Sequence, residues 1–293
     1  MKSHVMHPLS PFELESLVNA ALKEDAPHGD ITTRALLDPT LHAQANVVAK
    51  QNLTLAGVVV LHAVFRALDP AVVVTAKFED GATLEAGQTF ATLHGPAHAI
   101  LGGERVALNF LQHLSGIATL TSRFRAEIRH YPTVLVDTRK TIPGLRRLEK
   151  WAVALGGGTN HRMSLSDGVL IKDNHLVLSE AQGITVREAC RKAKERLSHH
   201  FRICVEVETL EHVVQALDGG ANVLLLDNVP PPLVKEAVDL VKGRAHTQVS
   251  GGITLENVSE YAATGVDSIS IGALTHSAPA VDISMDVLPA FSQ

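Results

Sequence analysis

The sequence predicts an α/β protein in which an α+β module precedes a parallel sheet covered by helices. The chain has 293 residues, enough for two domains, and 45% of them are apolar whereas only 4% are aromatic. A core built mainly from valine, leucine, isoleucine and alanine is typical of parallel strands packed against helices. The second half of the chain alternates short apolar stretches with helical ones, and this alternation indicates a parallel sheet.

The first half mixes helical and strand-like segments. Ser10 and Glu13 form a capping box with Pro11 at the first helical position, so a helix is expected to begin there. Strand-like segments broken by glycine turns follow at residues 43–50, 72–78 and 83–93, with helical stretches at 58–68 and 101–130. The pattern predicts an α+β module with an antiparallel sheet, and the long helical stretch bridges to the second half.

The second half contains six short apolar segments separated by helical ones. The expected strands are 133–137, 168–172, 202–208, 222–227, 247–251 and 268–272, and a helix is expected at 144–155. A right-handed crossover at each step can roll such strands into a barrel, and an open sheet is the alternative.

Composition argues against several classes of protein. A net charge of -5 disfavours nucleic acid as the main partner, because duplex binding needs a broad basic surface. The two cysteines are expected to be reduced core residues. The N-terminal segment lacks the apolar stretch of a secretory signal, and no window is long and apolar enough to span a bilayer, so a soluble cytoplasmic protein is expected.

The carboxyl ends of the six expected strands all carry polar residues or glycines. They are Asp137 to Lys140, Lys172 with Asp173, Glu206 with Glu208, Asp227 with Asn228, Ser250 to Gly252, and Ser270 to Gly272. Parallel strands present these ends at one rim, which is the active face of α/β barrels. The sequence therefore predicts a single site at that rim.

Basic residues are concentrated between residues 137 and 175. Any one of them is better explained by a structural ion pair. Several like charges at one rim, however, repel each other by roughly 1 kcal/mol per pair at a separation of ~4 Å, even when water screens them fully. Folding alone does not favour such a cluster, so an anionic ligand is expected. Arg139 and Arg162 suit bidentate capture of carboxylates, whereas Lys140 and Lys172 suit phosphate or pyrophosphate.

Two rim carboxylates, Glu206 and Asp227, are candidate Mg²⁺ ligands, because Mg²⁺ takes oxygen ligands and is usually completed by substrate phosphates and water. The alternative for each is an ion pair with a lysine. Glu208 shares the face of Glu206 if the strand continues, so either of the two can be the metal ligand. His161 is a candidate for orienting the substrate, with a structural hydrogen bond to the backbone as its alternative.

Two glycine-containing segments follow the last two expected strands. Ser250 to Thr254 and Ser270 to Leu274 are candidates for binding a phosphate through backbone N–H groups, although either alone is also explained as a tight turn. Neither fits the P-loop pattern, and no strand-associated GxGxxG occurs, so ATP and dinucleotides are not indicated.

Long motifs occur in the order GGERVALNFLQHLSGIATLT, DTRKTIPGLR, GGGTNHRMSLSDGVLIKDNH, VEVETLEH, LLLDN, VSGGI and SISIGALTH. In these motifs, and over almost the whole chain, the sequence resembles the quinolinate phosphoribosyltransferases, also called nicotinate-nucleotide pyrophosphorylases (carboxylating). The resemblance implies an N-terminal α/β sandwich domain (1–116), an incomplete α/β barrel (117–275) and a C-terminal tail that packs back toward the first domain (276–293). It also implies a homodimer, or an assembly of dimers, in which each barrel is covered by the partner's N-terminal domain.

The implied reaction joins quinolinate to phosphoribosyl pyrophosphate and yields nicotinate mononucleotide, pyrophosphate and CO₂, with Mg²⁺ as cofactor. By position in the motifs, quinolinate would contact Thr138, Arg139, His161, Arg162, Lys172 and, from the other subunit, Arg105. Phosphoribosyl pyrophosphate would contact Lys140, Glu206, Asp227, Ser250, Gly251, Gly252, Ser270, Ile271, Gly272 and His276. The expected catalytic residues are Lys140, Lys172, Glu206 and Asp227, of which Glu206 and Asp227 hold the metal.

Two alternatives compete with this interpretation. One is a related phosphoribosyltransferase acting on nicotinate, although a surplus of arginines favours a diacid. The other is a non-enzymatic phosphosugar-binding barrel, because a fold does not determine function.

Overall fold

The capping box predicted at Ser10 begins the first helix of the computed structural model, which describes residues 9–289. The Ser10 side chain accepts a hydrogen bond from the Glu13 backbone N–H, and the Glu13 side chain accepts one from the Ser10 backbone N–H at 2.8 Å. These two bonds satisfy N–H groups that lack an intrahelical partner, so they define where the helix starts.

The helices are α1 (Pro11–Asp25), α2 (Ile31–Leu36), α3 (Val58–Leu68), α4 (Ala97–Glu127), α5 (Arg146–Leu155), α6 (Asp173–Glu180), α7 (Val186–Arg196), α8 (Leu210–Asp218), α9 (Pro231–Val241), α10 (Val258–Ala263) and α11 (Ala273–His276). The strands are β1 (His42–Ala49), β2 (Leu53–Thr54), β3 (Val73–Ala76), β4 (Thr83–Leu84), β5 (Thr89–Pro96), β6 (Val134–Val136), β7 (Val169–Ile171), β8 (Ile203–Val207), β9 (Val223–Asp227), β10 (His246–Ser250), β11 (Ser268–Ser270) and β12 (Ile283–Pro289). The predicted strands and the predicted helices at 58–68 and 144–155 all have counterparts here.

The described residues form two compact units that are interleaved in sequence. The first contains residues 9–122, 147–157 and 277–289, and the second contains residues 123–146 and 158–276. The domain bounds implied by the resemblance, at residues 116 and 275, stay predictions.

The first unit contains an antiparallel sheet with the strand order β12-β1-β5-β3. Alternate residues of β1 are buried, from Ala43 to Ala49, as expected of a strand with one face on the core. Strand β12 lies at the edge of this sheet and pairs with β1 along seven residues. The predicted antiparallel sheet is therefore confirmed, and the C-terminal segment supplies one of its strands.

The second unit contains a six-stranded parallel sheet with the order β6-β11-β10-β9-β8-β7. The first strand of this unit thus lies beside the last, as in a barrel that is interrupted between β6 and β7. Strands β8 and β11 are buried at every position, as expected of parallel strands covered by helices. The fold class predicted from the sequence, α/β with an incomplete parallel barrel and an N-terminal α+β domain, is confirmed.

The free edge of β6 is occupied by the segment that leads from α5 to β7. Thr159 forms a parallel bridge with Val136, and backbone hydrogen bonds join it to Leu135 and Asp137 at 2.8 and 3.1 Å. This pairing carries the Asn160-His161-Arg162 segment to the carboxyl end of the strands. Among residues 9–289, no helix combines the length and hydropathy needed to cross a membrane.

The two cysteines lie on α7 and β8, and both are free thiols buried in the second unit. Burial raises the pKa of Cys190 to about 11 and the pKa of Cys204 to about 12. A thiol in an unfolded chain has a pKa of about 8.5, so the folded protein holds these protons more tightly than the unfolded chain does.

We expect both thiols to be unreactive toward Ellman's reagent at pH 8 until the protein is unfolded. Above pH 9 the unfolded chain binds fewer protons than the folded one, so the free energy of unfolding should fall as the pH rises toward 12. Denaturant titrations at pH 8 and pH 10 measure this fall. A Cys190→Ala/Cys204→Ala variant should show a smaller fall, and rapid reaction of the native thiols would contradict the assignment.

Candidate active site

A cavity of about 710 Å³ opens at the carboxyl ends of the parallel strands in the second unit. This volume lies within the range of small-molecule sites. Fifteen of the predicted site residues line it: Thr138, Arg139, Lys140, His161, Arg162, Lys172, Glu206, Asp227, Ser250, Gly251, Gly252, Ser270, Ile271, Gly272 and His276. The remaining one, Arg105, lies on α4 in the first unit.

The two arginines of the cavity differ in their contacts. The Nε of Arg139 is buried and has no hydrogen-bond partner among residues 9–289. The Nη1 of Arg162 donates to the Gly168 carbonyl at 2.8 Å, and burial, followed by the nearby charge of Arg139, lowers the pKa of Arg162. A buried N–H without a partner costs about 1–3 kcal/mol, and a carboxylate in the cavity would relieve that cost.

Asp137, at the end of β6, holds the His161 segment in place. Its Oδ1 accepts a hydrogen bond from the His161 backbone N–H, and its Oδ2 accepts one from Asn160 Nδ2, both at 2.7 Å. The Nδ1 of His161 accepts a further hydrogen bond from the Arg162 backbone N–H at 2.8 Å. Since Asp137 is fully buried, these contacts hold the segment firmly against β6.

Lys172 and Glu206 form an ion pair across neighbouring strands. Lys172 Nζ lies 2.6 Å from Glu206 Oε1, and Glu206 Oε2 accepts a hydrogen bond from the Asp173 backbone N–H at 3.0 Å. Glu206 is buried whereas the Lys172 side chain is about half exposed. The lysine pair considered as an alternative for the two carboxylates is thus present at Glu206.

Asp227 is oriented by its two neighbours on the rim. Ser250 Oγ donates to Asp227 Oδ1, and Asn228 Nδ2 donates to Asp227 Oδ2 at 2.9 Å. Asn228 adopts a left-handed backbone with a φ of 55°, a conformation that asparagine tolerates better than most residues. A Cβ added at Gly251 would lie 2.1 Å from Asn228 Oδ1, so this position requires glycine.

Lys140 and His276 converge over Gly272. A Cβ at Gly272 would lie 2.9 Å from Lys140 Cδ and 3.0 Å from His276 Nε2. Thr275 Oγ1 donates to the Lys140 carbonyl at 2.7 Å and joins the loop after β6 to α11. Two basic side chains and a glycine turn therefore lie on the same side of the cavity.

The donor set suits a divalent cation that a substrate completes. Glu206 and Asp227 both line the cavity, and a carboxylate that accepts two hydrogen bonds keeps lone pairs for a metal. Strand β8 ends at Val207, and Glu208 is not among the residues that line this cavity, so geometry favours Glu206. In the described part of the chain, no group of three or more histidine, cysteine, aspartate or glutamate side chains is arranged so that it could hold a metal ion.

Sequence reasoning assigned no individual role to Asp137, Asn228 or Gln248, all of which line the cavity. Asp137 and Asn228 stand beside assigned residues at strand ends, so their position was a usable signal. Gln248 lies in the middle of β10 and is buried, and nothing in the local pattern distinguishes it from a core residue.

Comparisons with known proteins show which proteins this chain is similar to. The family model for the C-terminal domain of quinolinate phosphoribosyl transferase matches residues 117–286, and the model for its N-terminal domain matches residues 30–115. The probable nicotinate-nucleotide pyrophosphorylase (carboxylating) of Bacillus subtilis is 42% identical over 279 residues, which cover 95% of each chain. The chloroplastic nicotinate-nucleotide pyrophosphorylase (carboxylating) of Arabidopsis thaliana is 41% identical over 94% of this chain and 83% of its own length.

A solved structure extends the likeness to the fold. The nicotinate-nucleotide pyrophosphorylase of Francisella tularensis superposes with a TM-score of 0.91 at 35% identity, and the match covers 98% of this chain and all of that one. Both family models, the relatives at more than 40% identity and the strand order point the same way. The chain belongs to the quinolinate phosphoribosyltransferase family.

Proposed function

We propose that the protein transfers the phosphoribosyl group of phosphoribosyl pyrophosphate to quinolinate, with decarboxylation, as a step of de novo NAD biosynthesis. The products are nicotinate mononucleotide, pyrophosphate and CO₂. The observation that carries this proposal is the buried Arg139 Nε without a partner, beside Arg162, in a cavity that also contains two glycine turns. Quinolinate offers two carboxylates to such a pair of arginines, whereas nicotinate offers one.

In the proposed complex, Arg139 and Arg162 bind the carboxylates of quinolinate, with Thr138, His161 and Lys172 completing that end of the site. Lys140, His276 and the turns at Ser250–Gly252 and Ser270–Gly272 bind the phosphates. Backbone N–H groups of successive residues in such turns suit anions. The two substrates are then held with the pyridine nitrogen facing C1 of the ribose, which replaces a bimolecular encounter by an oriented one.

The reaction breaks the bond between C1 and the pyrophosphate oxygen, and the electron pair leaves with pyrophosphate. The nitrogen lone pair forms the new bond to C1, and the ring becomes a cationic electron sink. The C2 carboxylate then departs as CO₂, its bonding pair stays on C2, and C2 takes up a proton. Lys140 and Lys172 stabilise the negative charge that grows on the leaving group.

The direct test is turnover by purified protein with quinolinate, phosphoribosyl pyrophosphate and Mg²⁺. We expect nicotinate mononucleotide with quinolinate and little or no product with nicotinate. Equal rates with both acids would favour the nicotinate enzyme, and no turnover with either would favour the phosphosugar-binding alternative.

Mg²⁺ is proposed as the cofactor: Glu206 and Asp227 would hold it together with the pyrophosphate substrate, and it would supply positive charge that offsets the negative charge of the leaving group. Removal with EDTA should abolish turnover, and added Mg²⁺ should restore it. Quinolinate binding, measured by calorimetry in EDTA, should change little because the arginines make that contact. A wholly metal-independent enzyme would contradict the assignment of the two carboxylates.

A homodimer with shared sites is also proposed, on the strength of the family resemblance, with Arg105 reaching the partner's cavity. We expect Arg105→Ala and Lys140→Ala proteins to be inactive alone. After subunit exchange, half of the dimers are mixed and each has one intact site, so roughly a quarter of the sites should recover. Each variant exchanged with itself is the control, and verified mixed dimers without activity would exclude the shared site.

We further propose a cytoplasmic location. Two buried, free thiols are compatible with a reducing compartment. The Arabidopsis relative is named chloroplastic, so the location has to be measured in the organism itself. Recovery of the protein in the soluble cytosolic fraction is the expected result, and enrichment in an organelle fraction would contradict it.

A further inference from the structure

The guanidinium of Arg146 joins the two loops that carry Arg139 and Arg162. These loops, called here the rim loops, are residues 137–145, after β6, and residues 158–168, before β7. Arg146 Nε donates to Thr141 Oγ1 at 2.9 Å, Nη1 donates to the Met163 carbonyl at 3.1 Å, and Nη2 lies 3.5 Å from the Arg139 carbonyl. Arg146 is not among the residues that line the cavity. Its donors contact the rim loops themselves.

A second link joins the same loops at the end of β6. There, Asp137 accepts the hydrogen bonds from Asn160 and the His161 backbone that were described above. The rim loops are therefore connected twice, by Asp137 and by Arg146. Arg139 and Arg162 belong to different rim loops, so these links determine how far apart the two guanidinium groups are held.

The contacts of Arg146 affect how the two cavity arginines are held. Arg139 and Arg162 repel each other, as the effect of Arg139 on the pKa of Arg162 indicates, so the rim loops have to hold these two groups in place against that repulsion. Arginine provides five donors in a rigid fork, so it can bridge acceptors on two loops at once, which the single ammonium of lysine does poorly.

We infer that Arg146 is a positioning residue that fixes the separation of Arg139 and Arg162, and thereby the preference of the site for a pyridine diacid over a monoacid. The inference rests on the proposed function, because it concerns how quinolinate is held. Since Arg146 contacts backbone carbonyls and a hydroxyl, its effect on the substrate passes through the loops. The phosphate-binding turns at Gly251 and Gly272 lie outside the rim loops. Lys140 belongs to a rim loop, but its carbonyl is also held by Thr275 Oγ1 at 2.7 Å, so binding of phosphoribosyl pyrophosphate should be less affected than binding of quinolinate.

The test compares Arg146→Ala with Arg146→Lys and with a matched control, Arg147→Ala. Arg147 is the next residue of α5, but it pairs with Glu13. Loss of two or three hydrogen bonds from a charged donor should raise the KM for quinolinate about 30-fold in Arg146→Ala, with less than about threefold change in the KM for phosphoribosyl pyrophosphate. Binding of nicotinate, measured by calorimetry, should change less than binding of quinolinate. Arg146→Lys should recover part of the loss, and Arg147→Ala should behave like the wild type.

A purely structural role predicts a different result. It would lower the melting temperature and reduce kcat or both KM values together, and that outcome would overturn the inference. If Arg146→Ala does not fold, Thr141→Val removes one acceptor of Arg146 and should still weaken quinolinate selectively; an equal effect on both substrates would again overturn it. If the wild type turns over quinolinate normally and Arg146→Ala has the same KM for quinolinate as the wild type, this inference alone is rejected. If the wild type does not turn over quinolinate, the proposed function is rejected, and this inference with it.

Discussion

Replacing Arg139 or Arg162 by alanine is expected to weaken quinolinate binding by about 10²- to 10³-fold, because a carboxylate of the substrate is then left in the cavity without its charged partner. Binding of phosphoribosyl pyrophosphate should change by less than about fivefold, since other side chains contact its phosphates. Titration calorimetry with each substrate separately measures both effects. Arg139 should show the larger effect, because its Nε is buried without a partner.

The control for this experiment is Arg187→Ala. Arg187 forms an exposed ion pair with Asp218, so its loss removes a positive charge from the second unit without touching the cavity. We expect wild-type binding of both substrates. Equal losses for the two substrates in Arg139→Ala and Arg162→Ala would contradict the assignment of these arginines to the diacid.

Gly251→Ala is expected to raise the KM for phosphoribosyl pyrophosphate by at least about 100-fold. Its Cβ would overlap Asn228 Oδ1 and also lie 3.0 Å from the Asn228 backbone nitrogen, so the side chain that orients Asp227 must move. A non-glycine residue at a φ of 88° adds strain of order 1 kcal/mol. Steady-state kinetics in phosphoribosyl pyrophosphate, with quinolinate saturating, measures the effect.

The control variant Gly243→Ala distinguishes the backbone strain of a positive φ from the steric clash between a new Cβ and Asn228. Gly243 also has a positive φ, of 72°, but a Cβ there would have no neighbour within 4 Å. Gly243→Ala should therefore lower the free energy of unfolding by a similar amount of backbone strain and leave the KM for phosphoribosyl pyrophosphate unchanged. If Gly251→Ala is no more impaired than Gly243→Ala, Asn228 does not orient Asp227 for function.

The position of the site was predictable because strand ends are readable in the sequence. Lys172, Asp227 and Ser250 each follow or end an apolar segment, and parallel strands bring such ends together. The pattern could not show where the barrel is interrupted, because the bridge between Thr159 and Val136 depends on a backbone pairing that has no periodic signature. The identity of both substrates came from the family resemblance.

The contacts between loops could not be predicted from the sequence. The hydrogen bonds that Arg146 donates to Met163 and that Asn160 donates to Asp137 join residues 17 and 23 positions apart, and each depends on how two irregular loops fold. Charge repulsion, used to predict an anionic ligand, applies most clearly to Arg139 and Arg162. It applies less to Lys172, because Glu206 lies 2.6 Å away and offsets that charge.

The central claim is that Arg139 and Arg162, drawn from two loops, bind the two carboxylates of one quinolinate molecule. A crystal structure of the protein with bound quinolinate tests it most directly. The account predicts a carboxylate oxygen within hydrogen-bonding distance of Arg139 Nε and the second carboxylate on Arg162. Quinolinate bound elsewhere, or bound with Arg139 Nε still without a partner, would contradict it.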